Sequence, residues 1–181
     1  MQTKLDCAGT VTTESFQCDV IFLTELVPDD VKTLCKITAQ TGFFSKEEVL
    51  IVDELARASI SEGEKSGYHF LLVLPENRDR MHPLGFACYG PIPGSVGSWD
   101  LYWIVVNRED QGHGYGKKIA TEVESRIRNT GGRKIFVETS SRAQYSSTRC
   151  FYEASGYKPE TRLLDYYDLG EDCVIFTKEL N

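Results

Sequence analysis

The middle of the chain contains the pattern that most constrains the fold. It begins with WDLYWIVV (99–106), passes through a polar, glycine-rich stretch, continues as an amphipathic pattern over 114–129 and ends with KIFVET (134–139). In the amphipathic part, apolar residues recur every four positions, which is the spacing of one helix face. Two neighbouring strands joined through a helix run parallel, and the crossover is right-handed. These residues therefore predict a strand–helix–strand unit in an α/β sheet.

Further strands and helices are predicted on both sides of this unit. Apolar runs predict strands at 20–26, 68–74 and 84–90, and RLLDYYDL with CVIFTKEL predicts an antiparallel hairpin around Gly170. A short helix is expected at about 145–155. The predicted order is β-α-α-β-β-β-α-β-α-β-β, which is typical of a mixed sheet flanked by helices.

The two early helices are predicted from their capping residues. Asp29 or Asp30 is expected to cap the first helix, which ends near Gly42. Ser45 and Glu48 have the spacing of a capping box at the start of the second helix. Such residues give the free amide groups of a helix start their hydrogen-bond partners.

Charge, cysteine spacing and apolar run length narrow the function classes. The 27 acidic residues outnumber the 20 basic ones, and the net charge of −7 argues against nucleic acid as a partner. The six cysteines form no CxxC pair and none stands near a histidine at zinc-ligand spacing, so no metal site is predicted. Runs such as FLLVL (70–74) are too short to cross a bilayer, and no membrane partner is expected.

The chain is expected to form one main domain. Its 181 residues suffice for a single hydrophobic core, and residues 18–181 carry the predicted elements. Residues 1–17 are a polar leader, expected to be an extra strand or disordered. The leader has no basic segment followed by an apolar stretch, so no secretory signal is predicted and a cytoplasmic location is the default expectation.

The segment QGHGYGK (111–117) can be compared with three phosphate-binding patterns. A nucleotide P-loop needs G-x-x-x-x-G-K-[ST], but Gly112 is one residue too close to Gly116 and Lys118 replaces the hydroxyl residue. A dinucleotide fingerprint needs G-x-G-x-x-G, but Lys117 occupies the third glycine position. The pattern [QR]-x-x-G-x-[GA] between a strand and a helix is met in full. A plain strand-to-helix turn is the remaining alternative.

The third pattern suits a pyrophosphate on physical grounds. Free amide N–H groups and the positive end of the helix dipole form an anion site, and the dipole contributes about 0.3–2 kcal/mol. Glycine lets the backbone approach the phosphates because no Cβ stands in the way. The segment therefore predicts an anion site at the start of the helix.

Two motifs together resemble one known family. WIVVNREDQGHGYGKKI is similar to motif A of the GNAT superfamily of acyl-CoA-dependent N-acyltransferases, and RCFYEASGYKP (149–159) is similar to the motif that follows it. The resemblance extends from about residue 18 to the C-terminus. It implies a single mixed, mostly antiparallel sheet with a central parallel pair, flanked by about four helices. It also implies transfer of an acetyl group from acetyl-CoA directly to a primary amine of a small molecule or peptide.

The resemblance assigns the coenzyme to the fourth strand and the glycine-rich turn. In this family the fourth and fifth strands diverge, and the pantetheine arm pairs with the backbone of the fourth. Tyr152 matches the family tyrosine that reaches toward the thioester sulfur, where it acts as an acid. Tyr145 and Thr148 replace the usual asparagine and alanine, so a hydroxyl from Ser147 or Thr148 would act instead. The implied coenzyme-binding residues are Ile104, Val105, Val106, Gln111, Gly112, His113, Gly114, Tyr115, Gly116, Lys117 and Ser147.

The general base has three candidates. Asp100 stands eleven residues before Gln111, where some relatives carry a catalytic carboxylate. Its neighbours Trp99 and Leu101 favour a pKa raised by desolvation, although an exposed aspartate at the strand entrance is equally compatible with the pattern. Glu138, at the end of the fifth strand, is the second candidate, and deprotonation through water is the third.

Acceptor selectivity is expected to come from the first two helices, the YGPIPG loop and the last hairpin. Aromatic and acidic residues in these segments suit an ammonium-bearing acceptor, unless they are ordinary core and surface residues. A non-catalytic acyl-CoA-binding sensor or interaction module is the alternative function, and an exposed edge strand would allow a homodimer. The acceptor candidates are Phe43, Phe44, Tyr89, Trp103, Asp165, Tyr166, Tyr167 and Asp168.

Overall fold

The structure is a computed structural model that describes residues 20–180, so the predicted leader at 1–17 lies outside the described residues. The strands are β1 (Val20–Leu23), β2 (His69–Pro75), β3 (Gly85–Pro91), β4 (Ser98–Val106), β5 (Lys134–Ser140), β6 (Lys158–Asp168) and β7 (Glu171–Glu179). The helices are α1 (Pro28–Thr41), α2 (Lys46–Glu62), α3 (Tyr115–Asn129) and α4 (Ser146–Ala154). This order of elements is the predicted one.

The strands form one seven-stranded sheet in the order β1-β2-β3-β4-β5-β7-β6. Neighbouring strands are antiparallel except for β4 and β5, which are parallel and joined by α3. The predicted fold class, a mixed sheet with a central parallel pair and four flanking helices, is therefore confirmed. None of the helices within residues 20–180 is long and apolar enough to cross a membrane.

The helix caps agree with the sequence at α2 but not at the start of α1. Ser45 and Glu48 form the predicted capping box, with the Ser45 N–H donating to Glu48 Oε2 at 2.7 Å. The N-cap of α1 is Val27 rather than an aspartate, because Pro28 supplies the first helical residue with its fixed φ. Asp30 is the third residue of α1, and its carboxylate accepts the Val27 N–H at 2.8 Å.

Two hydrophobic cores cover the two faces of the sheet. On one face, buried residues of α3 and α4 such as Ile119, Val123 and Tyr152 pack on the strands. On the other face, the apolar stripes of α1 and α2 do the same, with Leu34 and Val52 fully buried. Helix pairs on both faces leave the central strands β4 and β5 enclosed between two layers.

A β-bulge at Tyr102 reverses the orientation of side chains along β4. Leu101 is opposite Tyr89 on β3, and Trp103 is opposite the adjacent Cys88, so Tyr102 is the extra residue. Before the bulge, Leu101 faces the α3/α4 core. After it, Trp103 faces the α1/α2 core, although residues two positions apart in a regular strand face the same side. Asp100, which alternates with Leu101, therefore lies on the α1/α2 face.

The parallel pair β4–β5 is joined only at its beginning. The residues paired are Ser98 with Lys134, Trp99 with Ile135 and Asp100 with Phe136. Beyond the third pair, residues 101–106 of β4 have no strand partner on this side within the described chain. We call this point of divergence the fork. It leaves main-chain groups of β4 available and creates a gap through the centre of the sheet.

Candidate active site

A cavity of about 1230 Å³ opens at the fork. On the α3/α4 face it is bounded by the turn over residues 111–117 and by α4, which together we call the glycine side. On the α1/α2 face it is bounded by rings from β4 and from the α1–α2 connection, which we call the aromatic side. The cavity therefore connects the two faces of the sheet through the gap between β4 and β5.

The glycine-rich turn adopts the geometry that the motif predicts. Gly112 and Gly114 have φ values of 80° and 82°, a region that favours glycine. Gly114 is the N-cap of α3, and no side chain caps this helix start, so the positive end of its dipole faces the cavity. A Cβ at Gly116 would lie 3.3 Å from the Phe151 ring, so the third glycine also lets α3 approach α4.

Gln111 and His113 flank the first glycines but are placed differently. Gln111 lines the cavity and donates from Nε2 to the Val106 carbonyl oxygen at 3.2 Å, which ties the turn to the end of β4. His113 is exposed, with Nδ1 3.2 Å from the Asp110 carbonyl oxygen, and is not among the residues of the cavity wall. The structure thus brings Gln111, but not His113, to the site.

Two strand segments line the gap itself. Ile104, Val105 and Val106 border it on β4, with Ile104 and Val106 packed toward the α3/α4 core and Val105 toward the opposite one. On β5, Thr139 is buried and its Oγ1 has no hydrogen-bond partner within residues 20–180. A buried hydroxyl without a partner costs about 1–3 kcal/mol, so Thr139 is a candidate contact for a polar group that enters the gap.

Tyr152 lies on α4 with its side chain in the α3/α4 core. It is 4% exposed, and its ring contacts those of Phe151, Tyr157 and Phe176 at centroid distances of 5.2, 5.4 and 5.8 Å. Burial raises the pKa of Tyr152, so the phenol keeps its proton at neutral pH. Tyr152 lines the cavity, and Ser147, at the exposed start of α4, lines it as well.

Asp100 and Glu138 lie beside the fork on the α1/α2 face. Asp100 belongs to the last residue pair before the strands separate, and Glu138 is two residues beyond its partner Phe136. Burial raises the pKa of Asp100 to about 6, and the negative charge of Glu138 adds to the shift. Neither carboxylate has a hydrogen-bond or ion-pair partner in the described part of the chain. The structure therefore brings both predicted base candidates together.

Ring contacts hold the aromatic side in place. Phe44, from the α1–α2 connection, meets Trp103 of β4 edge to face at 5.0 Å. Phe43, beside it, contacts the Tyr145 ring at 5.9 Å, and its carbonyl oxygen accepts the Tyr145 hydroxyl at 2.9 Å. Because Tyr145 follows β5, this hydrogen bond joins the two sides of the gap.

The acceptor candidates divide into two groups. Phe43, Phe44, Trp103 and Tyr167 line the cavity as predicted. The others lie away from its wall. Tyr89 is buried in the α3/α4 core, where it stacks on His69, and the remaining three belong to the outer part of the last hairpin. Those three are Asp165, Tyr166 and Asp168.

Several residues of the aromatic side were not predicted from the sequence. Tyr68 and Tyr102 meet edge to face at 5.7 Å, and the pKa of Tyr102 is raised to about 12 by burial and by the charge of Asp100. The break in alternation that places tyrosine and tryptophan side by side in β4 is the signal that could have revealed Tyr102. Other cavity residues that the sequence did not predict include Glu48, Ile51, Leu55, Arg142 and Glu171.

This arrangement separates an acid from a base across the sheet. The protonated Tyr152 lies on the α3/α4 face, and the carboxylates of Asp100 and Glu138 lie on the α1/α2 face. A molecule threaded through the gap would meet the phenol on one side and a carboxylate on the other. Residues 20–180 contain no group of three His, Cys, Asp or Glu side chains that could hold a metal ion.

Comparisons with known proteins bear on the family and the fold. The sequence model of the Acetyltransferase (GNAT) family matches residues 36–157. A solved structure from Desulfovibrio desulfuricans, assigned to the GNAT family, is 36% identical with a TM-score of 0.86, over 90% of this chain and 100% of that chain. No curated protein matches the sequence significantly.

Two more distant structures contain coenzyme A and share the fold. An aminoglycoside 6'-N-acetyltransferase complexed with coenzyme A is 16% identical with a TM-score of 0.69, over 89% of this chain and 97% of that chain. The PaiA N-acetyltransferase from Thermoplasma acidophilum, also in complex with coenzyme A, is 18% identical with a TM-score of 0.65, over 89% and 99%. At these identities the similarity concerns the fold alone.

Proposed function

The chain belongs to the acetyltransferase (GNAT) family, and on this premise we propose that it transfers an acetyl group from acetyl-CoA to a primary amine. The observation that carries the proposal is the fork. It opens a continuous cavity in which the glycine-rich turn, Tyr152 and the two carboxylates share one space. A strand pair without this gap would leave the phenol and the carboxylates on separate surfaces.

The residues on the glycine side fit the coenzyme. The uncapped start of α3 and the bare backbone at Gly112 and Gly114 suit a pyrophosphate, and Lys117 adds positive charge beside them. The unpaired edge of β4 offers N–H and C=O groups to the amides of a pantetheine arm. The unpartnered Thr139 Oγ1 offers a further polar contact in the gap. Acetyl-CoA, when bound, supplies the acetyl thioester.

The proposed reaction assigns one proton transfer to each face of the sheet. The amine nitrogen forms a bond to the acetyl carbon as the carbon–sulfur bond breaks. Asp100 removes one proton from the bound ammonium and so frees the nitrogen lone pair, with Glu138 or a water molecule as the alternative base. The second proton leaves the nitrogen through water as the amide forms. Tyr152 gives its proton to the departing sulfur and regains it through water afterwards; a phenol carries this proton at neutral pH, because its ordinary pKa is about 10. The products are an N-acetylated amine and free coenzyme A.

A thiol-release assay tests the proposal. The protein is incubated with acetyl-CoA and a panel of primary amines that includes arylalkylamines, alkylamines, polyamines, aminoglycosides and peptides. We expect free thiol to appear with at least one amine and the acetylated amine to be detected by mass spectrometry. Binding of acetyl-CoA measured by calorimetry accompanies the assay, because it separates catalysis from simple binding.

The alternative function makes a different prediction in the same experiment. A sensor or interaction module would bind acetyl-CoA but release no thiol with any amine. The raised pKa of Asp100 and the buried, protonated Tyr152 favour the enzyme, because neither group is needed for binding alone. If acetyl-CoA did not bind at all, both functions would be excluded.

A further inference from the structure

The charges on the cavity wall are distributed unevenly, and this distribution bears on the acceptor. At the fork, Asp100 and Glu138 have no partner in the described part of the chain and face the position where the amine must react. Away from the fork, the aromatic side has two further carboxylates, those of Glu48 and Glu171. Glu171 is paired with protein groups through both oxygens and Glu48 through one. Asp110, whose carboxylate has no partner within residues 20–180, lies beside the glycine-rich turn and not on the aromatic side.

Glu171 is matched within the protein on both of its oxygens. Oε2 forms an ion pair with Arg142, and Oε1 accepts the Ser140 hydroxyl at 2.8 Å. Glu48 is held against the start of its own helix, where Oε2 accepts the Ser45 N–H. A second cationic group on the acceptor would therefore have to compete with a guanidinium or a helix N-terminus for a carboxylate.

The remaining surface of the aromatic side is uncharged. Phe44 and Trp103 form one ring pair, Tyr68 and Tyr102 form another, and both pairs line the cavity. Ile51 and Leu55, one helical turn apart on α2, extend this surface toward solvent. Flat rings and aliphatic groups stabilise an apolar body, whereas an ammonium ion that left water here would gain cation–π contacts but no countercharge in return for the hydration it loses.

We propose that the acceptor is a primary monoamine with an aromatic or apolar body, rather than a polycation such as a polyamine or an aminoglycoside. The single ammonium binds at Asp100 and Glu138, and the body lies against the rings of the aromatic side and against Ile51 and Leu55. This inference rests on the proposed function. It narrows the acceptor class because the aromatic side beyond the fork has rings and aliphatic groups, and its carboxylates already bind protein groups.

Ile51 and Leu50 offer a matched pair of variants. Ile51 lines the cavity and is 45% exposed, so Ile51→Glu adds a carboxylate to the aromatic side with little risk to folding. Leu50, the preceding residue, is 68% exposed and is not part of the cavity wall. Leu50→Glu therefore adds the same charge to the same helix without reaching the acceptor.

The test compares kcat/KM for 2-phenylethylamine, ethylamine and spermidine at saturating acetyl-CoA. In the unaltered protein we expect 2-phenylethylamine to exceed both others by at least about tenfold, which is the scale of discrimination by an apolar pocket. In Ile51→Glu we expect the preference for 2-phenylethylamine over spermidine to fall by about tenfold, because spermidine gains a countercharge. In Leu50→Glu the preference should not change.

The outcomes distinguish this inference from the proposed function. A higher kcat/KM for spermidine, or an equal change in both variants, would overturn the monoamine inference while leaving the acetyltransferase function intact. Thiol release with none of the amines would instead contradict the proposed function. In that case, equilibrium binding of 2-phenylethylamine and spermidine to the protein saturated with coenzyme A decides the inference, which requires tighter binding of 2-phenylethylamine.

Discussion

The glycine side and the aromatic side of the cavity differ in the chemical groups that form them and in where those groups come from in the chain. The glycine side combines main-chain groups of one short segment, residues 111–117, with side chains of α4, and the edge of β4 lies beside it. The aromatic side consists of side chains from α2, the α1–α2 connection, β4 and the residues after β5. Backbone amides do not depend on residue type, so they suit a ligand that is the same from one protein to another. Side chains differ between proteins, so a surface made of them can be adapted to different ligands. The coenzyme and the variable acceptor are assigned to the two sides accordingly.

The largest expected effect comes from Tyr152, which reaches the cavity from the glycine side. Tyr152→Phe removes only the hydroxyl, and we expect kcat to fall by roughly 10²–10⁴-fold, the range for general acid catalysis. The KM for acetyl-CoA should change little, because the proposed coenzyme site is formed mainly by backbone groups and not by the Tyr152 hydroxyl. Steady-state kinetics with a saturating amine measures both quantities.

Tyr157→Phe is the matched control for this variant. Tyr157 belongs to the same ring cluster, but it does not line the cavity. Removal of its hydroxyl should leave kcat nearly unchanged. Equal losses in the two variants would mean that Tyr152 acts through packing and not through its proton.

The second-largest effect on activity is expected from Asp100, on the opposite face of the sheet. In the unaltered protein kcat/KM should rise with pH through about 6, because Asp100 must lose its proton before it can accept one. Asp100→Asn should lower kcat/KM by about 10²-fold and abolish this limb of the pH profile. An unchanged profile would point to Glu138 or to water as the base.

Glu138→Gln sharpens the same assignment. The negative charge of Glu138 contributes to the raised pKa of Asp100, so its removal should move the limb to lower pH while the limb itself remains. If Glu138 were the base, the limb would disappear in this variant and persist in Asp100→Asn. The two pH profiles therefore have opposite outcomes for the two candidates.

A smaller effect is expected where the turn needs a left-handed backbone that only glycine adopts without strain. Gly114→Ala places a side chain at φ 82°, which costs about 1–2 kcal/mol for a non-glycine residue. Relaxation of that strain would shift the amides of the turn, and we expect the KM for acetyl-CoA to rise about 5- to 30-fold with kcat little changed. Gly131→Ala, at φ 84° beyond the other end of α3, carries the same strain far from the cavity and should leave this KM unaltered.

The smallest effect concerns stability. The pKa of Asp100 is raised in the folded protein, so between about pH 4 and pH 6 the folded state binds more protons than the unfolded state. The free energy of unfolding therefore falls as pH rises through this window, and the loss is complete above it. Asp100→Asn should raise the Tm at pH 8 and have little effect at pH 3.5. A lower Tm for the variant at pH 8 would contradict the burial of this carboxylate.

The sequence predicted the glycine side well because its information is local. The spacing of Gln111, Gly112, Gly114 and Gly116 specifies the turn, and the turn specifies the direction of α3. Only His113 fell outside the cavity, since a residue inside a turn of this kind can point either way. The capping box of α2 was predicted for the same reason, because it depends on residues three positions apart.

The aromatic side could be predicted only in part because its residues meet through tertiary packing. Tyr145 reaches Phe43 across about one hundred positions, and no periodicity in the sequence signals such a contact. The bulge at Tyr102 depends on the register between β3 and β4, which decides the face on which Asp100 lies. The same register places Tyr89 opposite Leu101, in the α3/α4 core. Without it, the sequence suggested Tyr89 as an acceptor candidate.

The short β4–β5 pairing has a consequence for the lifetime of the protein. Because three residue pairs hold these strands together, a molecule that fills the gap would complete the sheet by supplying partners to the unpaired edge of β4. Ligand that binds the folded state alone raises the free energy of unfolding, by about 2.7 kcal/mol at a concentration one hundred times its Kd. Amide exchange and proteolysis near β4 and β5 would slow by the same thermodynamic coupling. Binding of the proposed acyl donor would then lengthen the time for which the folded protein resists unfolding and proteolysis.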